Sequence, residues 1–142
     1  MIKLKKTMET AKLPEYATPA ATGADCFLPD EVCLRPGVVT MVDLGLLLCD
    51  CPYHIELQLR MRSGWAKKGV MLANGIGSVD SDYRGNLKVL LFNSTSADVV
   101  LSKGDRIVQL VPAARLQHQK FEWTDVVSQT ERGDGGFGHT GK

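Results

Sequence analysis

An all-β fold is what the 142-residue sequence predicts, and three observations carry that reading. The dominant hydrophobic period is two rather than 3.6, aliphatic and β-branched residues gather in short runs, and turn-forming pairs separate those runs. Many short strands with frequent turns make a sandwich, jelly roll or barrel.

Taken in chain order, Val38–Val42 is rich in β-formers and follows the turn signal Pro36-Gly37. After Asp50-Cys51-Pro52, the stretch His54–Met61 alternates without a break. Ile55, Leu57, Leu59 and Met61 face a core, and their polar neighbours face outward. Ser63–Lys68 has room for a helical turn or two at most. Leu87–Phe92 and Arg106–Val111 read as further strands, the second introduced by Lys103-Gly104-Asp105. The last residues change character: Arg132–Gly141 holds almost nothing that a core could bury and reads as a mobile, Gly-rich tail.

A chain of this length forms one domain and buries roughly two-thirds of its unfolded surface without covalent staples. Its net charge of +1 excludes a broad basic field for nucleic acid or an anionic membrane, so any bound anion needs a local site. No apolar run reaches the roughly 18–20 residues of a membrane span. The basic N-terminal residues Lys3, Lys5 and Lys6 are followed by no apolar core, which argues against a signal peptide and makes the reducing cytoplasm the expected compartment. In that setting Cys26, Cys33, Cys49 and Cys51 are expected as free, mostly buried thiols, and their spacing fits no zinc finger.

Four segments carry more chemistry than a scaffold needs. Arg62-Ser63-Gly64 follows the alternating strand and offers a planar fork of donors, a hydroxyl and close backbone approach, all suited to phosphate. It is also a plain strand-end turn. Asn74 through Gly85 places Asp80, Asp82, Tyr83 and Arg84 between glycines. A carboxylate beside a guanidinium stays ionised and can orient or deprotonate a water. An Asn amide pairs donor with acceptor, as reading a pyrimidine edge requires. The same composition makes a polar hairpin loop. Gln109 interrupts the apolar run after Arg106 and is either a ligand or an outward-facing strand residue. In the tail, backbone N–H groups can wrap phosphate and Phe137 can stack on a base, or the segment is a loose terminus.

In this order the segments resemble the five motifs of the homotrimeric deoxyuridine triphosphatase (dUTPase) family. Thr22-Gly23-Ala24-Asp25 is similar to the first, Arg62 through Ala66 to the second, Gly77 through Gly85 to the third, Gly104 through Leu110 to the fourth and Arg132 through Gly141 to the fifth. The resemblance implies a dUTPase-type jelly roll: a β domain over residues 1–131 and an arm over 132–142 that closes on a neighbouring subunit. It implies three active sites per trimer, each with the first, second and fourth motifs from one subunit, the third from another and the arm from the last. The implied reaction is hydrolysis of dUTP to dUMP and pyrophosphate by water attack on the α-phosphorus. That reaction limits uracil in DNA and supplies dUMP for dTMP synthesis.

Residue by residue, the resemblance makes Asp80 the water-activating carboxylate, although Asp82 lies two residues away and spacing does not choose between them. Tyr83 packs under the deoxyribose, and Asn74 with the surrounding hairpin, including Gly77, reads uracil. Arg62, Ser63, Gly64 and Gln109 contact phosphate and water. Phe137 with Gly138 caps the base, while Arg132 and Thr140 hold the γ-phosphate. Asp25 is the acidic residue near the metal–phosphate cluster, reaching Mg²⁺ through water. Mg²⁺ keeps waters and takes substrate phosphates as ligands, so no protein cage is expected. Two departures fall beside the phosphate segment: the stretch from Arg62 to Asn74 is about one residue short, and Trp65 stands where a smaller aliphatic residue is usual.

The nearest rival is a dCTP deaminase, or a bifunctional deaminase–dUTPase, on the same fold. Deamination needs a proton-transferring acid near the base, typically Glu, and the stretch from Asn74 to Gly85 has none. A regulatory binding protein on this fold is the other rival; against it, no expected catalytic side chain is missing. A secondary protein partner is compatible with turnover.

Overall fold

Alternation written into the sequence becomes two facing sheets in the computed structural model, which describes residues 1–116 and 121–135. Ten strands and one helical turn follow in the order β1 (Lys3–Lys6), β2 (Ala24–Phe27), β3 (Val32–Leu34), β4 (Val39–Asp50), β5 (Ile55–Met61), α1 (Ser63–Ala66), β6 (Val70–Leu72), β7 (Gly77–Val79), β8 (Asn86–Asn93), β9 (Val99–Leu101) and β10 (Arg106–Ala114). One sheet runs β1-β4-β8-β6, the second runs β2-β10-β5-β7, and β3 pairs with β9 at the side. The pairs between these strands are antiparallel, as an all-β jelly-roll-like fold requires.

The core lies between the two four-stranded sheets. Leu44, Leu46, Leu48, Leu87, Val89 and Leu91 enter it from the first, and Leu57, Leu59, Val108 and Leu110 from the second. On β5 the predicted alternation holds: Leu57 and Leu59 are buried, and Ile55 and Met61 pack half-buried against the same cluster.

The strand expected over Val38–Val42 is longer than its sequence signal. β4 continues to Asp50 because Gly45 adopts φ 68°, a left-handed backbone that other residues resist. The pairing with β8 shifts register between Asp43 and Leu47, so the strand bends there. A Cβ at Gly45 would lie 2.8 Å from that of Ala11, so bend and packing both require glycine. Asp43 pins the bend: its carboxylate accepts the Gly45 N–H at 2.8 Å and the Asn86 amide at 2.8 Å.

The cysteine expectation needs correcting. All four are free, but only Cys26 and Cys51 are buried; Cys33 and Cys49 are exposed because they fall on the outward phase of β3 and β4. Burial pushes the Cys26 thiol up to about 12. No helix among the described residues is long and apolar enough to cross a membrane.

Candidate active site

Asp25 gathers two guanidinium groups and an amide around one buried carboxylate. It sits on β2 and is 1% exposed, and its carboxylate is surrounded by donors from two other segments. Oδ1 accepts Arg62 Nε at 3.1 Å and Gln109 Nε2 at 3.1 Å, and Oδ2 accepts Arg106 Nη1 at 3.2 Å. Register explains the meeting. Asp25 is directly opposite Gln109 in the β2–β10 ladder, so both side chains leave the sheet on one face. A bulge between Arg106 and Val108 buries both Ile107 and Val108 and returns Arg106 to the face of Gln109. Arg62 arrives from the end of β5, its N–H bonded to the Ile107 carbonyl at 3.1 Å. A carboxylate offers about four acceptor positions, and three are taken here.

Beside this node lies a cleft of about 480 Å³ lined by Arg62, Ser63, Gly64, Trp65, Lys68 and Gln109. The short helical turn places Ser63 and Gly64 at its surface, both exposed. Trp65 takes a defined role: its Nε1–H donates to the Arg106 carbonyl at 3.1 Å, the same oxygen that accepts Arg62 Nη1 at 3.2 Å. The carbonyl therefore holds the indole beside the guanidinium, and the stretch closes at Gly69 into β6.

A second depression, of about 190 Å³, lies at the β7–β8 connection, which crosses from one sheet to the other rather than forming the hairpin the sequence suggests, and is lined by Ser78, Val79, Asp80, Tyr83, Asn86, Leu87 and Lys88. A turn closed by the Tyr83 N–H on the Asp80 carbonyl (3.1 Å) brings these two residues to its rim. Asp80 and Asp82 are both exposed, and of the two Asp80 lines the depression. The Tyr83 hydroxyl donates to the Asn86 carbonyl at 2.9 Å, and the ring lies across Gly85, where a Cβ would fall 2.5 Å from Cζ. Arg84 turns back on the loop, donating to the Ser81 and Tyr83 carbonyls at 2.8 Å each. Asn74 is exposed on the β6–β7 connection, its Nδ2 3.7 Å from where a Gly77 side chain would begin.

The two depressions share no residue and lie at opposite ends of β5. Val79 is level with Leu57, five residues before Arg62, or roughly 17 Å along a strand. Arg132 is exposed, with Nε bonded to the Gly135 carbonyl at 2.9 Å. Phe137, Gly138 and Thr140 lie outside the described residues. Sequence reasoning assigned no role to Arg106 or Lys68. The motif around Gly104 contains Arg106, but its partner Asp25 is 81 residues away and only the β2–β10 ladder joins them.

A family model described as dUTPase matches residues 9–141. The chain belongs to the dUTPase family. It is 44% identical over 140 residues to the deoxyuridine 5'-triphosphate nucleotidohydrolase of Hydrogenobaculum sp., covering 97% of this chain and 96% of that protein. It is 43% identical over 143 residues to the protein of the same name from Syntrophotalea carbinolica, covering 99% and 96%. Among solved structures, a point mutant of the Staphylococcus bacteriophage 80alpha dUTPase with dUpNHpp superposes with a TM-score of 0.88 at 22% identity, over 100% of this chain and 99% of that one. A point mutant of the dUTPase from phage phi11 of S. aureus, described with a structural Mg(II) ion, gives 0.74 at 20% identity, over 95% and 99%. These two likenesses concern the dUTPase fold.

Proposed function

We propose that this protein hydrolyses dUTP to dUMP and pyrophosphate, with the triphosphate in the Arg62–Gln109 cleft and the nucleoside against the Asp80–Tyr83 turn of a neighbouring subunit. The observation that carries the reading is convergence: Asp25, Arg62 and Gln109, from three separate motifs, meet at one cleft. The family match and the relatives' shared name support the reaction. Reacting atoms must come within about 3–3.5 Å of one another. The turn after β7 is some five strand residues from the level of Arg62, a separation that supports a site shared between subunits.

The first sheet supplies a surface for that assembly. Val39 and Met71 flank Phe92, and Met41 is opposite Leu90, so their side chains share one outward face. Val39 is 51%, Met41 62% and Met71 43% exposed, an apolar patch of the kind that marks an interface. A homotrimer covers it. The arm, residues 132–142, then reaches a neighbour's site, where Arg132 and Thr140 hold the γ-phosphate and Phe137 with Gly138 caps the base.

In this arrangement Asp80 orients water in line with the α-phosphorus and takes its proton. The α–β anhydride bond breaks, and pyrophosphate leaves with the bridging oxygen. Arg62, Ser63, Gly64 and Gln109 hold the phosphates in a geometry fixed before substrate arrives. Asn74 and the backbone near Gly77 pair with uracil; cytosine presents the opposite polarity and leaves polar groups unmatched. Tyr83 packs under the deoxyribose, leaving no room for a 2′-hydroxyl. The donors suit Mg²⁺ held by substrate rather than by protein. Asp25 is 1% exposed and already accepts from Arg62, Arg106 and Gln109, so it would act on Mg²⁺ only indirectly, by orienting the groups that hold the phosphates. Bound Mg²⁺ supplies neutralisation of phosphate charge.

Pyrophosphate release from dUTP, dCTP, dTTP and UTP, measured for the wild type and Asp80→Asn, tests the proposal. Turnover of dUTP alone, lost in a folded variant, supports it. A folded trimer that leaves dUTP intact, or that releases ammonia from dCTP, overturns it.

A further inference from the structure

Every cation that the mechanism uses in the cleft is tied to Asp25, but one other cation lines the same walls. Lys68 contributes to the cleft formed by Arg62, Ser63, Gly64, Trp65 and Gln109. Its Nζ stands 4.4 Å from the centroid of the Trp65 ring. The indole is itself fixed, because its N–H and the Arg62 guanidinium share the Arg106 carbonyl. We infer that Lys68, seated on the Trp65 face, is a further ligand for the pyrophosphate portion of the triphosphate. The inference rests on the reading of this cleft as the phosphate site.

Three physical points carry it. First, a ring face attracts an ammonium without cancelling its charge, whereas a carboxylate partner would cancel it. Among the described residues no carboxylate lies within salt-bridge distance of Lys68, whereas Arg62 and Arg106 both bond Asp25. Second, seating the long side chain on the ring removes rotamer freedom before ligand arrives, so less entropy is lost on binding. Third, the neighbour Lys67 does not line the cleft although it carries the same charge one residue earlier. Position on the turn, rather than local basicity, gives Lys68 its access. Trp65 thereby stands between the two cations: its N–H shares the Arg106 carbonyl with Arg62, and its π face seats Lys68.

The test is calorimetric titration of magnesium pyrophosphate and of dUMP into the full-length protein and its Lys68→Gln, Lys68→Arg, Lys67→Gln and Arg62→Gln variants. Loss of one charge-assisted bond predicts about a tenfold weaker pyrophosphate Kd for Lys68→Gln. Its dUMP Kd stays within about twofold, Lys68→Arg restores most of the pyrophosphate affinity, and Lys67→Gln changes it by less than about twofold. Equal losses for Lys67→Gln and Lys68→Gln would reduce the effect to general electrostatics and overturn the inference. Unchanged pyrophosphate binding in Lys68→Gln, with a loss in Arg62→Gln, overturns it while leaving the phosphate cleft intact. Unchanged binding in both removes the cleft reading as well.

Discussion

Replacing Asp25 by Asn tests whether one buried carboxylate organises the cleft. The exchange preserves shape but substitutes an NH₂ for one acceptor oxygen, and all three groups that face it are donors. The retained oxygen still serves Arg62 and Gln109, so the amide turns its NH₂ toward Arg106 and that contact is lost. Removing one partner of a fully buried pair costs about 3–5 kcal/mol. Here the guanidinium side chains are 31% and 47% exposed against 2% for Asp25, so water recovers much of the loss. Two of the three hydrogen bonds survive, which reduces the penalty to about 1–2 kcal/mol. Urea unfolding at fixed protomer concentration measures it as a lower midpoint with an unchanged slope. A cycle with Arg106→Gln isolates the pair, with an expected coupling of about 1 kcal/mol. An Asp25→Asn protein with the wild-type midpoint, or a cycle with no coupling to Arg106, would refute the account of Asp25 as the organiser.

Gly85→Ala drives the Tyr83 ring off the position it occupies over Gly85 and breaks its bond to the Asn86 carbonyl, so discrimination of dUTP against UTP falls at least tenfold while the melting temperature moves little; competition assays with both nucleotides check this. Removing residues 132–142 leaves the strands intact, and the truncated chain is expected to remain folded by circular dichroism while losing most turnover; full activity would remove the arm from the site. For Cys26 the raised thiol means that the folded state keeps its proton between pH 9 and about 12 while the unfolded state gives it up, so stability present below pH 9 is lost as pH rises through that window. Wild type therefore loses stability relative to Cys26→Ala across that range in urea titrations, and at pH 8 a thiol reagent labels Cys33 and Cys49 before Cys26.

How far the sequence disclosed this molecule depended on whether the relevant physics was local. β5 was legible because one face is buried and the other polar, so period-two alternation is imposed on every residue. β8 and β10 appeared within a few residues of their observed ends through their wealth of β-formers, not through alternation, which the bulge in β10 breaks. Three-residue strands such as β3, β6 and β9 have too few residues for a period, and ladder partners rather than propensity hold them in place. β4 was cut short because Gly45 reads as a break, whereas in the fold it is the bend that lets one strand serve two neighbours, β8 and β1. At the site, the phosphate-type triplet at Arg62 and the cluster of Asp80, Asp82 and Tyr83 were open to local reading, but spacing did not choose between the two carboxylates. The Arg106–Asp25 pair and the Trp65–Lys68 stack were not, because ladder register and the pitch of a helical turn create them.

The buried node also gives a reason for an acidic residue beside the proposed phosphate site. Without Asp25, the Arg62 and Arg106 guanidiniums, which share its carboxylate, would repel and drift into water. Asp25 cancels part of their charge and fixes their directions, and its burial keeps it from competing for solvent-borne cations. The substrate's phosphates then meet donors that are already aimed, and the reorganisation that water would demand is avoided. Lys68 supplies the charge that Asp25 removes, on a side chain ordered by a neutral ring. The cleft therefore separates two tasks: a buried carboxylate sets geometry, and a cation outside its network adds attraction. A site relying on Arg62 and Arg106 alone would have to trade one against the other.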